Sequence, residues 1–172
     1  MPRPYQKEAI HVMDKALEGG KRKMLLVMAT GTGKTDTIAL YLKRLFDAGI
    51  ANRALFLVDR IELGDQAQNV FRDIMPDHSS TLLYGGRPKD ESEIVISTLQ
   101  TLYSQLPLLT SGYFDVVVSD EAHRAIFGIY NAVLSHFDAI RIGLTATPSG
   151  YVDRNTYKLF GCWDETEQKG KP

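Results

Sequence analysis

The chain has 172 residues, which is enough for one domain of ordinary size but too few for two large ones. Hydrophobic residues make up 44% of the sequence and charged residues 24%, which excludes a largely disordered chain. The 20 basic and 21 acidic residues leave a formal net charge of -1, which excludes a strongly basic nucleic-acid coat protein but not a local basic face.

Cysteine and apolar patterns exclude further classes of protein. The single cysteine, Cys162, rules out an internal disulfide and a cysteine-based zinc site, and the four histidines show no metal-ligand spacing. No apolar run approaches the roughly 20 residues of a membrane span, and residues 1–5 lack the apolar stretch of a signal peptide. We therefore expect a cytoplasmic protein with no membrane partner.

Apolar runs alternate with helical patterns along the chain. The predicted elements are, in chain order, a helix over 5–18, a strand over 23–29, a helix over 34–48, a strand over 54–58, a helix over 61–71, strands over 81–84 and 94–97, a short helix ending near 105, a strand over 114–119, a helix over 129–137 and a strand over 139–144. Because the strands are continuous apolar runs, both faces of the sheet should be covered. The order predicts a three-layer α/β/α domain with a mostly parallel sheet over 1–163, followed by a disordered tail over 164–172.

The run Ala29-Thr30-Gly31-Thr32-Gly33-Lys34-Thr35 lies between a predicted strand and a predicted helix. Its small residues let successive backbone N–H groups converge on a phosphate, and the start of the helix adds a partial positive charge. Lys34 can reach the β- and γ-phosphates of a nucleotide, and the Thr35 hydroxyl can ligate Mg²⁺. The usual pattern has a glycine where this chain has Met28. The alternative is a glycine-rich turn with a solvent-facing lysine.

Two acids follow the valine-rich strand at its carboxyl end, where open parallel sheets place their ligands. Asp120 could hold Mg²⁺, partly through water, and Glu121 could polarise the water that attacks a γ-phosphate. An acidic turn after a strand is common by itself, so the interpretation depends on the phosphate loop about 85 residues upstream. A third run, residues 143–148, places Thr145 and Thr147 after the last strand, and a simple turn is its alternative.

The glycine loop, the Asp-Glu-Ala-His run at 120–123 and the Thr-Ala-Thr run stand in the order found in superfamily 2 helicases and translocases. From Arg3 to about Gly161, the chain resembles the first motor domain of that superfamily, in its DEAH-box form. The resemblance implies a RecA-like P-loop NTPase fold, with ATP and Mg²⁺ as cofactors. The chain resembles motor subunits of restriction enzymes at residues 3–6, at Met28 before the loop and at residues 142–148. Its residues 153–161 resemble the type I branch of these enzymes.

The resemblance also implies roles for single residues in the nucleotide site. Gln6 would bind the adenine edge, with Arg3 stacking nearby; the alternative for Gln6 is an ordinary polar residue in a first helical turn. Thr30, Gly31, Thr32 and Gly33 would cradle the phosphates together with Lys34 and Thr35. His123 would couple the nucleotide site to Thr145 and Thr147.

Three further residues match nucleic-acid contact motifs of the family. Arg60 and Gln66 would touch a nucleic-acid backbone, and a solvated helix start is the alternative reading of both. The Thr98 hydroxyl and the helix amides after it would hold a phosphate, while an ordinary N-cap could coexist with that role.

Motors of this family take the arginine that stabilises the transition state from a second motor domain, and residues 149–172 contain no such motif. We therefore expect an excised or separately encoded half of an ATP-driven DNA motor, inactive or weak alone. Its expected partners are duplex DNA, a second RecA-like motor domain and other restriction-modification subunits. The alternatives are the ATP-binding domain of another superfamily 2 helicase, acting in DNA repair or on RNA, and a non-catalytic P-loop binding domain. A small-molecule kinase is a weaker alternative, because the sequence shows no acceptor pocket.

Overall fold

The structure is a computed structural model, and it describes residues 2–85, 92–120, 128–146, 160, 163–164 and 169–170. The helices are α1 (Pro4–Glu18), α2 (Lys34–Asp47), α3 (Ile61–Ile74), α4 (Leu99–Gln105) and α5 (Ile129–His136), with a 3₁₀ turn at Leu106–Leu108. The strands are β1 (Lys23–Val27), β2 (Ala54–Val58), β3 (Ser80–Leu83), β4 (Ile94–Thr98), β5 (Val116–Ser119), β6 (Ile140–Thr145), β7 (Trp163–Asp164) and β8 (Lys169–Gly170).

Six of the strands form one parallel sheet in the order β1-β6-β5-β2-β4-β3. Because every pairing is parallel, the carboxyl ends of the six strands meet at one edge of the sheet. Ligands of open α/β sheets bind outside that edge. The predicted α/β fold with a mostly parallel sheet is confirmed.

Both faces of the sheet are covered by helices. Side chains alternate along a strand, so in β2 Phe56 and Val58 join the core formed with α1, α2 and α3. Leu55 and Leu57 face the other way and join the core formed with α4 and α5. All five residues of β2 are buried, which is why the sequence shows an unbroken apolar run there.

Two predicted boundaries differ from the structure in an informative way. Strand β1 ends at Val27 rather than at residue 29. The Met28 amide still donates to the Thr145 carbonyl at 3.0 Å, and the backbone then turns into the glycine loop. Helix α3 continues to Ile74, because burial of Phe71 and the Met75 amide bond to the Phe71 carbonyl hold its last turn.

The short strands β7 and β8 pair in antiparallel fashion near the end of the chain. They include Asp164, Lys169 and Gly170, which lie in the segment predicted to be a disordered tail. The other residues of that segment lie outside the described part of the chain. The domain boundary at 163 and the disorder of the tail therefore stay predictions. No helix among the described residues is long and apolar enough to cross a membrane.

Candidate nucleotide site

The glycine loop joins β1 to α2 at the carboxyl edge of the sheet. Gly31 and Gly33 have φ values of +74° and +80°, a region that favours glycine because it has no Cβ. The Thr32 hydroxyl donates to the Ala29 carbonyl at 2.6 Å and closes the turn. These two glycines and the Thr32 bond are the local reason that the chain can reverse direction within a few residues.

Helix α2 begins immediately after the loop, with Gly33 as its N-cap and Lys34 as its first residue. The Gly33 carbonyl accepts from the amide and from the hydroxyl of Thr37, at 2.9 and 2.8 Å. The amides of a first helical turn have no acceptor within the helix, so those around Lys34 and Thr35 are available to an anion. Both side chains are half-buried. The loop therefore has the geometry of a phosphate-binding site.

The start of α1 is bonded to this loop. The Tyr5 hydroxyl donates to the Thr32 carbonyl at 2.9 Å and accepts from the Arg3 guanidinium at 2.8 Å. Gln6 Nε2 donates to the Gly33 carbonyl at 3.3 Å, and Gln6 Oε1 accepts from the Arg3 amide at 2.8 Å. Gln6 is only 5% exposed. Arg3 and Gln6, to which the family resemblance assigned contacts with adenine, thus lie beside the loop. Tyr5 lies with them, although no role was predicted for it.

Asp120 and Thr145 lie close to the loop on neighbouring strands. Strand β6 separates β1 from β5, and Thr145 at its end pairs with Val27. Asp120 follows β5, and its amide donates to the Leu57 carbonyl at 2.9 Å. Neighbouring strands are about 4.8 Å apart, so the Asp120 backbone lies about 10 Å from that of the loop strand. Asp120 and Thr145 therefore both lie at the carboxyl edge of the sheet together with the glycine loop.

The donor set fits Mg²⁺ bound with a nucleotide. Among the residues that the structure describes, no group of three or more His, Cys, Asp or Glu side chains could hold a metal ion alone. Mg²⁺ takes oxygen ligands and is usually held by one or two protein groups together with substrate phosphates and water. The Thr35 hydroxyl and the half-buried Asp120 carboxylate are such groups.

Sequence reasoning missed Tyr130, which is buried in α5 close to the end of β5. Its hydroxyl is hydrogen-bonded to the Ser119 hydroxyl, one residue before Asp120. Burial raises the pKa of the Tyr130 hydroxyl above its ordinary value; the hydrogen bond with Ser119 opposes this shift and the charge of Asp120 adds to it. Tyr130 therefore stays neutral and ties α5 to the end of β5. The available signal was that the hydroxyl of a buried tyrosine usually finds a hydrogen-bond partner.

The predicted nucleic-acid contacts lie along the same edge, on the strands beyond β5. Arg60 is the N-cap of α3, and its side chain is 75% exposed, with Nε 3.8 Å from Asp59 Oδ2. Gln66 is exposed on the same helix. Thr98 caps α4: its Oγ1 accepts from the Thr101 amide at 3.3 Å and donates to Thr101 Oγ1 at 3.0 Å. Thr98 is therefore the N-cap of α4. Contact of Arg60, Gln66 and Thr98 with nucleic acid stays a prediction.

Three predicted site residues, Glu121, His123 and Thr147, lie outside the described residues. The described residues bring Arg3 and Gln6 to the glycine loop and place Asp120 and Thr145 on the two strands beside it. Arg60, Gln66 and Thr98 lie on the far side of β5, in a separate group.

The chain matches one family model and a curated relative over most of its length. A family model described as type III restriction enzyme, res subunit (ResIII), matches residues 1–150. The type I restriction enzyme EcoKI endonuclease subunit of Escherichia coli (strain K12) is 36% identical to this chain, over 92% of the chain and 16% of that subunit. The chain thus spans about a sixth of the length of this curated relative.

Two solved structures share the fold. A fragment assigned as an HsdR subunit of a type I restriction enzyme from Vibrio vulnificus YJ016 has a TM-score of 0.73 at 28% identity, over 93% of this chain and 29% of that one. The SWI2/SNF2 ATPase core of Sulfolobus solfataricus, in complex with double-stranded DNA, has a TM-score of 0.78 at 19% identity, over 92% of this chain and 34% of that one. The second match shows the fold alone. From the family match and these homologues, the chain belongs to the ResIII family and is homologous to the endonuclease subunits of type I restriction enzymes.

Proposed function

We propose that this chain binds Mg-ATP and forms the first half of a motor that moves along DNA in a type I-like restriction enzyme. The observation that carries the proposal is the glycine loop, which has positive φ at Gly31 and Gly33 and leads into helix α2. The loop follows β1, and Asp120 follows β5, which is separated from β1 by β6 alone. A cytoplasmic location follows as part of the same proposal, because ATP and DNA are available there.

The proposed roles follow from position and chemistry. Lys34 holds the β- and γ-phosphates, and the amides of the first turn of α2 bind the same oxygens. Thr35 and Asp120 hold Mg²⁺, which when bound neutralises charge on the phosphates. Glu121 polarises the attacking water, and Thr145, Thr147 and His123 transmit the state of the nucleotide to the DNA contacts.

DNA lies, in this proposal, across the ends of β2 and β4. Arg60 and Gln66 present exposed side chains there, and a guanidinium is a suitable partner for a backbone phosphate. A second RecA-like motor domain supplies the arginine that completes the hydrolytic site, so the isolated chain should hydrolyse ATP slowly or not at all. Other restriction-modification subunits would complete the assembly.

Calorimetric titration of the chain with ATP and Mg²⁺ tests the nucleotide site. The unchanged chain should bind, and Lys34→Ala should lose most of the affinity. Lys43→Ala is the matched control: Lys43 lies on the same helix, where it pairs with Asp47 at 2.9 Å, and its loss should leave binding unchanged. Equal binding by the unchanged chain and by Lys34→Ala would refute the assigned loop.

A second candidate is the ATP-binding domain of another superfamily 2 motor, acting in DNA repair or on RNA. The backbone matches a SWI2/SNF2 core with a TM-score of 0.78 and the HsdR fragment with 0.73, so the fold does not separate these branches. Stimulation of the complete motor by duplex DNA but not by RNA would support a DNA motor and exclude the RNA form of the second candidate. The reverse result would support the second candidate.

A further inference from the structure

A cleft of about 400 Å³ lies between the start of α1 and the first turn of α2. Its wall includes Arg3, Gln6, Gly33, Asp36, Leu40 and Ile74. The volume suits a small ligand, and the two aliphatic side chains supply apolar surface beside a few polar groups. Because the glycine loop forms part of the same wall, a nucleotide with its phosphates in the loop would place its base here.

Asp36 brings a carboxylate into this cleft next to Gln6. A Cβ built on Gly33 would lie 2.9 Å from Asp36 Oδ2 and 3.0 Å from Gln6 Nε2, so these two atoms cannot be more than about 6 Å apart. Asp36 is exposed, and within the described part of the chain its carboxylate has no hydrogen-bonded or ionic partner. The carboxylate is therefore an acceptor that is ready for a ligand.

The free hydrogen-bonding capacity of Gln6 complements that acceptor. One Nε2 hydrogen goes to the Gly33 carbonyl and one Oε1 lone pair accepts from the Arg3 amide, which leaves a second Nε2 hydrogen. A donor and a carboxylate acceptor within 6 Å match the adjacent N7 acceptor and 6-amino donor of adenine. A guanine or hypoxanthine base carries a 6-oxo group instead, whose lone pairs would face the negative carboxylate. A phosphate beside Asp36 would be repelled for the same reason.

We propose that Asp36 accepts a hydrogen bond from the 6-amino group of adenine and so selects ATP over nucleotides with a 6-oxo purine. The inference rests on the proposed binding of ATP and adds to it the residue that reads the base. Gln6 supplies the donor to N7, and the aliphatic wall of Leu40 and Ile74 packs on the ring.

Titration of the chain with Mg-ATP and Mg-ITP tests the assignment, because ITP replaces the 6-amino group by an oxo group. The unchanged chain should bind ATP at least about tenfold more tightly, as expected for one charge-assisted hydrogen bond. Asp36→Asn can turn its amide NH₂ toward the oxo group, so its ATP-to-ITP ratio should fall to about threefold or less. Asp47→Asn, at the other end of the same helix, is the control and should keep the original ratio. Thermal unfolding of each variant checks that the fold is intact.

The outcomes distinguish a failure of the proposed function from a failure of the base assignment alone. If the unchanged chain binds neither nucleotide, both the proposed function and this inference fail. If it binds ATP and Asp36→Asn keeps the original ratio, the nucleotide site stands and the base assignment is overturned. Titration with 2′-deoxy-ATP adds a third arm: if Asp36→Asn erases a preference for ATP over 2′-deoxy-ATP and leaves the ITP ratio unchanged, Asp36 reads the ribose and not the base.

Discussion

Replacing Gly33 with alanine should destabilise the fold by about 2–3 kcal/mol and weaken nucleotide binding. Gly33 has a φ of +80°, where a Cβ costs roughly 1–2 kcal/mol. The new Cβ would also approach Asp36 Oδ2 and Gln6 Nε2 to 2.9 and 3.0 Å. Exposed Asp36 can rotate away, but Gln6 is buried, and displacing it breaks its bond to the Gly33 carbonyl, which is worth about 1 kcal/mol.

Two other glycines separate backbone strain from this contact. Gly20 also has a φ of +80°, and a Cβ built there meets no described heavy atom within 4 Å. Gly20→Ala should therefore cost only about 1–2 kcal/mol and leave the affinity for Mg-ATP unchanged. Gly31, at +74°, is equally open, so Gly31→Ala should show the stability loss of Gly20→Ala together with weaker binding.

Urea unfolding, followed by circular dichroism, gives the change in the free energy of unfolding for Gly20→Ala, Gly31→Ala and Gly33→Ala. The slope of the free energy of unfolding against urea concentration should be the same in all three variants. Calorimetry gives the three affinities for Mg-ATP. If Gly33→Ala is no less stable than Gly20→Ala, the contact with Gln6 contributes nothing and the reasoning is wrong. If Gly31→Ala binds as tightly as the unchanged chain, the loop is not the phosphate site.

Two further predictions concern buried and ion-paired side chains. Burial, reinforced by Asp14, raises the pKa of Tyr41 to about 12, with Arg44 opposing, and the Tyr41 hydroxyl has no partner among the described residues. Tyr41→Phe should therefore leave the free energy of unfolding unchanged or raise it by up to about 1 kcal/mol. Tyr130→Phe loses a buried hydrogen bond and should lower the free energy of unfolding by about 1–2 kcal/mol. Urea unfolding in which both variants change the free energy of unfolding in the same direction would contradict this. Burial raises the pKa of Glu93, but the bonds from Ser79 and His78 outweigh it and leave the pKa below its ordinary 4.5. Glu93 therefore stabilises the fold above pH 4.5 and loses that contribution as the pH falls through its lowered pKa. Unfolding titrations of Glu93→Gln should show a lower free energy of unfolding at neutral pH, with a difference from the unchanged chain that shrinks in acid. A difference that is constant with pH would exclude the bonds of the Glu93 carboxylate as its cause.

The sequence was enough to predict the five helices and the six strands of the parallel sheet, but not the order of those strands, and it did not predict β7 and β8. Strand β2 matches its predicted bounds because all five of its residues are buried and flanking polar residues mark its ends. The insertion of β6 between β1 and β5 depends on which apolar faces meet across more than 100 residues of chain. Hydrophobic periodicity reports local structure and carries no information about such pairings.

The same limit applies to the candidate site. Loop residues such as Lys34 and Thr35 could be assigned because a strand, a glycine turn and a helix are adjacent in the sequence. The bond from Tyr5 to Thr32 joins residues 27 apart, and it exists only because α1 packs beside α2. The nearness of Asp36 to Gln6 likewise depends on how α1 lies beside α2, so the sequence offered no signal for it.

The order of the strands divides the candidate residues into two contiguous groups. Strands β1, β6 and β5 carry the glycine loop, Thr145 and Asp120, whereas β2 and β4 carry Arg60 and Thr98. The two groups meet between β5 and β2, where the Asp120 amide donates to the Leu57 carbonyl at 2.9 Å, three residues before Arg60. A displacement of Asp120 must therefore lengthen that bond or carry the end of β2 with it. That bond is therefore one backbone contact through which a displacement beside the glycine loop would reach the turn that holds Arg60.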